Sequence, residues 1–441
     1  MLTLCDSIDF LGVLVVQYRL IYKGERNSTV DVLELFLALA IIIGISKLAG
    51  SLVRQVGQPR VFGELVVGVL LGPSLIDFLN LPLFAPGHAE GLAVTINEMA
   101  EIGVLLLMFN VGLEVHLEEL TRVGLVAVLA GIIGALLPVG LTMVALQPFD
   151  FNSDVVLFVG VTLAATSVSI SAQTLLELGL LRTKEGFALL ATALIDDVLA
   201  ILLLSFAVAT TATEGTASAS ELLLILLQMT VYIVGAGLLA WFILPRFINF
   251  VEGKSQLYGT ASAGIVAALL FGWSAEEFGG VAFITGAFIA GLGLSQASQE
   301  ARQKIGNAVT YIAYAFFVPI FFVNVGLQTD LSVLDGDDLE IAAVLLVVAM
   351  VSKILGAGVG ARLGGFNNGE SFRLGVAMIS RGEVGLIIAS VGLREGIFDD
   401  SIFPALFLII LLTTVVTPPF VRYVFRETVN DDDTQPAPAS G

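Results

Sequence analysis

The chain has 441 residues, 57% of them hydrophobic and only 13% charged. A soluble fold of that length cannot hide so much apolar surface, which leaves a polytopic membrane protein. The single cysteine, Cys5, excludes a disulfide framework or a thiolate cluster. The net charge of −19 gathers in loops and the tail, as in a salt-adapted host or in ordinary solubilising loops.

Taken in order, residues 8–22 form a weak apolar stretch interrupted by Gln17 and Arg19, and the segment 1–30 is expected not to span. Thirteen windows of about 20 apolar residues follow: 31–53, 61–79, 98–116, 123–146, 154–178, 186–209, 221–245, 257–275, 280–297, 306–328, 339–361, 371–393 and 402–424. Residues 425–441 read as an acidic disordered tail. Arg54, Arg60, Arg122, Arg182, Lys184, Arg246, Lys254, Arg302, Lys304, Arg362, Arg373, Arg422 and Arg426 fall in every second connection. The intervening loops carry only Arg394. The positive-inside rule then predicts a cytoplasmic C-terminus and a first full span that starts outside, in the cytoplasmic (inner) membrane. Arg19, Lys23 and Arg26 break the pattern.

FNVGLEVHL (109–117) recurs as VNVGLQTDL (323–331), an offset of 214 residues, and Gly68 answers to Gly286 at nearly the same spacing. Spans one to six (31–209) thus match spans eight to thirteen (257–424), with the seventh as connector. Six is even and the connector odd, so the second unit is predicted upside down relative to the first. Inverted repeats of this kind build secondary transporters that bind cargo near the midplane.

Asp196 and Asp197 stand in the middle of ALLATALIDDVLAILLLSFAV (188–208). One charge near the bilayer centre costs ~2.5–3.5 kcal/mol on insertion scales, and two neighbours repel each other, so the pair reads as an ion or proton site. The fifth span holds LAATSVSISAQ (163–173), a dense run of small hydroxyls including Thr166 and Ser167. The repeat offset carries Ser167 onto Arg381, inside ISRGEVGLIIA (379–389). Two related irregular stretches predict two interrupted helices that cross near the midplane, with free carbonyls at their ends. Lys353 lies in the middle of span eleven, too deep for easy snorkelling, so one of the aspartates is its expected partner. Arg381 and Glu383 are expected to support the core by pairing with each other or with a backbone end. Glu64 reads equally as an entrance-funnel residue or as interfacial. Asn110 and Asn324 are expected to link helices, and Glu276 and Glu277 to be solvated in a short outer turn.

QPRVFGELVVGVLLGPS (58–74), LIDDVLA, FVNVGLQTD, SKILGAG and ISRGEVGLI together resemble the monovalent cation:proton antiporters. The likeness is greatest to the two-aspartate, NapA-like branch, with NhaA-like exchangers more distant, and covers about residues 31–424. It implies Na⁺ or Li⁺ exchanged for H⁺ without a cofactor, and a homodimer in the bilayer with no nucleic-acid partner. It further implies scaffold or dimerisation helices at 31–116 and 257–328, core transport helices at 123–209 and 339–424, and a linker helix at 221–251. Asp197 matches the main cation- and proton-binding carboxylate, Asp196 its partner salt-bridged to Lys353, and Thr166 and Ser167 the unwound segment beside them. Adjacent residues of a helix differ by about 100° in azimuth, so the two aspartates cannot face one partner. Burial favours a neutral acid and a nearby lysine favours its anion, a balance in which proton and Na⁺ compete for the same oxygens. Two further readings are a K⁺/H⁺ antiporter of Kef-like type, whose relatives usually pair one aspartate with glutamine, and a cation channel. No metal cluster, nucleophile elbow or phosphate loop points to an enzyme.

Overall fold

The computed structural model describes residues 31–56, 58–114, 122–149, 151–211, 219–254, 258–328, 336–394, 396–398 and 402–426. The stretch 8–22 and most of the acidic tail lie outside these residues. The regular elements are all helical: α1 Val32–Gln55, α2 Arg60–Leu71, α3 Ala89–Glu114, α4 Gly124–Ala145, α5 Ser153–Ala164, α6 Val168–Glu177, α7 Lys184–Thr211, α8 Ala219–Leu238 and α9 Leu244–Lys254. They continue as α10 Gly259–Ser274, α11 Phe283–Leu294, α12 Gln299–Ile312, α13 Val318–Leu327, α14 Gly336–Leu363, α15 Asn368–Ala377, α16 Glu383–Arg394 and α17 Ile402–Val424.

Among the described residues, nine helices or helix pairs are long and apolar enough to cross a bilayer. Helices α2 and α11, with 12 residues each, fall short of that length. Single π-helical stretches at Leu239–Ile243, Ala275–Gly279 and Ala313–Phe317 join α8 to α9, extend α10 and join α12 to α13.

Local chemistry sets the ends. Asp31 accepts the N–H of Leu33 at 3.0 Å and caps α1. The window 61–79 was expected to be one helix, but α2 stops at Leu71, because Gly72 and Pro73 follow and the residue before a proline avoids the helical region. The connection after it returns to α1, where Glu34 accepts the N–H of Ala85 and meets His88 Nδ1, both at 2.7 Å. Helix α3 starts at Ala89, nine residues before the expected 98, since its first turns carry Glu90, Thr95 and Asn97 and fail an apolar window.

Helices in a bilayer associate through close packing of small residues. A Cβ on Gly326 of α13 would stand 2.1 Å from the backbone carbon of Gly68 in α2, and one on Gly360 of α14 2.4 Å from Leu129 O of α4. The packing repeats along the chain. Helix α1 lies on α2 as α10 lies on α11, α4 on α7 as α14 on α17, and α3 on α11 as α13 on α2. Helices α8 and α9 pack on α7, α10 and α11 by one face, with their apolar stretch 223–254 otherwise largely uncovered.

Candidate functional site

Among the described residues two helices are broken, and the breaks meet. Helix α5 ends at Ala164 and α6 begins at Val168; α15 ends at Ala377 and α16 begins at Glu383. Helix ends leave orphan carbonyls and N–H groups, which lipid cannot satisfy. Here each break serves the other. Ser167 N–H donates to Ser380 O at 2.9 Å, and the Ser380 hydroxyl donates to Ser167 O at 2.6 Å. Ser171 Oγ donates to Ala377 O at 2.5 Å. The fully buried guanidinium of Arg381 donates to Ala165 O at 3.1 Å and to Ala349 O at 3.0 Å, placing a cation at the C-terminal end of α5 where the helix dipole favours one. Arg381 thus meets backbone carbonyls, while the side chain of Glu383 lies outside the described residues. Ser167 Oγ also lies 3.0 Å from Ser169 Oγ, and the buried Thr166 Oγ1 has no hydrogen-bond partner among the described residues.

Beside the breaks, α7 presents both aspartates. Lys353 Nζ, from α14, donates to Asp196 Oδ1 at 2.7 Å, with 0% and 1% of the two side chains exposed. Asp196 Oδ2 has no partner among the described residues. Asp197, rotated to another face of α7, accepts a hydrogen bond from Thr285 Oγ1 at 3.0 Å and opens on a cleft where α3, α6, α7 and α11 meet. Met108, Val168, Ala193 and Phe288 supply apolar walls. Such a site offers carboxylate oxygens to a small cation or a proton while a fixed ammonium balances the neighbouring charge. Coulomb attraction in a poorly solvated interior makes that balance strong.

The remaining expected residues are dispersed. Glu64 of α2 is buried 3.6 Å from Lys47 Nζ and does not line the cleft. Asn110 accepts from Thr310 at 3.1 Å and Asn324 donates to Asn97 at 3.0 Å, both helix-to-helix bonds. Glu276 and Glu277 are exposed, in a π-helical stretch rather than a plain turn. Two contacts escaped the sequence reading. One is Thr285. The other is Glu177 at the end of α6, whose Oε2 accepts the N–H of Arg60 at 2.5 Å and so caps α2. Neither residue type stands out on an apolar helix or at its end.

A buried carboxylate pair, a matched lysine and two facing helix breaks define an ion-coupled secondary transporter. The chain belongs to the family of transmembrane sodium/hydrogen exchangers, whose profile matches residues 35–426. It is similar to the Na⁺/H⁺-K⁺ antiporter GerN of Bacillus cereus, at 35% identity over 89% of this chain and 96% of that one. It is also similar to the Na⁺/H⁺ antiporter of Enterococcus hirae, at 32% identity over 88% and 97%. The fold matches that of the sodium proton antiporter MjNhaP1 from Methanocaldococcus jannaschii, with a TM-score of 0.65, 18% identity and coverage of 90% and 98%.

Proposed function

We propose that the chain exchanges Na⁺, or Li⁺, for H⁺ across the cytoplasmic membrane by alternating access. The observation that carries this reading is the Asp196–Lys353 pair buried beside Asp197, which itself opens on a cleft between groups of helices. Asp197 binds either ligand, and a site discharged by one of them crosses far more easily than a bare anion. Asp196 and Lys353 give the site a second proton to trade for one monovalent cation, so the exchange is read as electrogenic. Thr166 and Ser167 border the cation path.

In the same reading α1–α3 with α10–α13 form a scaffold, and α4–α7 with α14–α17 form the moving core. Helices α8 and α9 link the two inverted units of a thirteen-span chain. The mirrored packing of the two halves supports this division. The C-terminus faces the cytoplasm, the scaffold mediates a homodimer, and Glu64 serves its inner end. The similarity to the Na⁺/H⁺-K⁺ antiporter GerN favours one further cargo, K⁺, at the same site.

Purified protein in proteoliposomes tests the reading. Proton release that follows Na⁺ or Li⁺ and responds to membrane potential supports it. A response to K⁺ alone moves the assignment to K⁺/H⁺ exchange, and cation current without proton movement overturns antiport.

A further inference from the structure

One hydrogen bond that Asp197 accepts comes from across the cleft. Thr285 Oγ1 donates to Asp197 Oδ2 at 3.0 Å, and both side chains are buried. The helix that carries Thr285 is locked to its own neighbours. A Cβ on Gly286 of α11 would stand 2.1 Å from Phe271 O of α10, and one on Gly291 2.2 Å from Phe109 O of α3. Helix α7 is locked elsewhere, with Ile195 seated 2.7 Å from the Cβ position of Gly131 in α4. Helices α7 and α11 share little packing of their own. The bond therefore links two separately packed groups of helices.

A hydroxyl that donates to a carboxylate stabilises the charged, unloaded form. Cargo on Oδ2 draws off that oxygen's negative charge and makes it a weaker acceptor for the hydroxyl. We propose that Thr285 is a positioning residue that holds unloaded Asp197 against the α3–α11 wall, and that cargo binding releases it. The empty core then stays in place and the loaded core moves, which is the rule that coupled exchange requires. The inference rests on the antiport reading above and adds to it the device that suppresses empty crossings.

The opposite role, Thr285 as a ligand of the cation, predicts the opposite sign. Loss of a ligand weakens cation binding, whereas loss of a competing donor strengthens it. The test uses the full chain in proteoliposomes, with Na⁺ flux and proton flux measured together for wild type, Thr285→Val, Thr285→Ala and Thr285→Ser. With both Val and Ala the Na⁺ KM falls about tenfold, the worth of one hydrogen bond to a charged group. Fewer protons then move per Na⁺, and Thr285→Ser restores both quantities. An unchanged or raised KM, or an unchanged proton-to-Na⁺ ratio, overturns the proposal while leaving antiport intact. Wild-type protein that moves no protons in response to Na⁺ overturns antiport itself.

Discussion

Lys353 Nζ and Asp196 Oδ1 lie 2.7 Å apart with neither side chain more than 1% exposed. Removing one partner of such a pair strands a buried charge and costs about 3–5 kcal/mol, whereas replacing both with neutral residues of similar size is close to neutral. Lys353→Ala is therefore expected to lower the melting temperature of the purified protein sharply. The double variant Asp196→Asn with Lys353→Met is expected to regain most of that loss. Equal melting losses in the single and double variants would show that the pair is not coupled.

The contact between α2 and α13 has no room for a methyl group. A Cβ on Gly326 would overlap the backbone of Gly68, while one on Gly306 meets nothing within 4 Å. Gly326→Ala is expected to destabilise by about 1–3 kcal/mol, the usual cost of overpacking, and Gly306→Ala, inside α12 with open space at its Cβ, to stabilise by about 0.5–1 kcal/mol. Thermal melts of the two variants side by side check this.

Acid weakens the start of α15. Glu370 completes a capping box with Asn367 and meets Lys184 Nζ at 3.0 Å. It lies just before the apolar run 371–393. Desolvation pushes its carboxyl up, but the N–H of Asn367 and the Lys184 ammonium outweigh that and hold it below its ordinary value of 4.5. A carboxyl depressed in the folded state stabilises above its unfolded pKa and loses that contribution as pH falls through its folded pKa. Glu370→Gln is expected to flatten the fall in melting temperature below about pH 4.5 and to change nothing in that slope near neutrality.

Much of this was legible because charge in a bilayer is costly. The Asp196–Asp197 pair, Lys353 and Arg381 stood out against apolar surroundings, and each now has a buried place in or beside the site. The hydroxyl run within 163–173 marked the first break for the same reason, since a helix facing lipid has no use for it. Thr285 left no such trace. A threonine can satisfy its hydroxyl on its own helix, so its residue type does not reveal a cross-cleft partner. Helix ends were misjudged where hydropathy and backbone chemistry diverge. Gly72 and Pro73 end α2 inside an apolar window, and polar residues open α3 outside one.

The proposed exchange depends most directly on Asp197 as the group that both cargoes share. The deciding measurement is Na⁺-driven proton movement, read with a pH dye in proteoliposomes that carry Asp197→Asn. The expected result is no exchange above empty vesicles, while Asp196→Asn still exchanges with altered coupling or charge per cycle. Full Na⁺-driven exchange by Asp197→Asn contradicts the account.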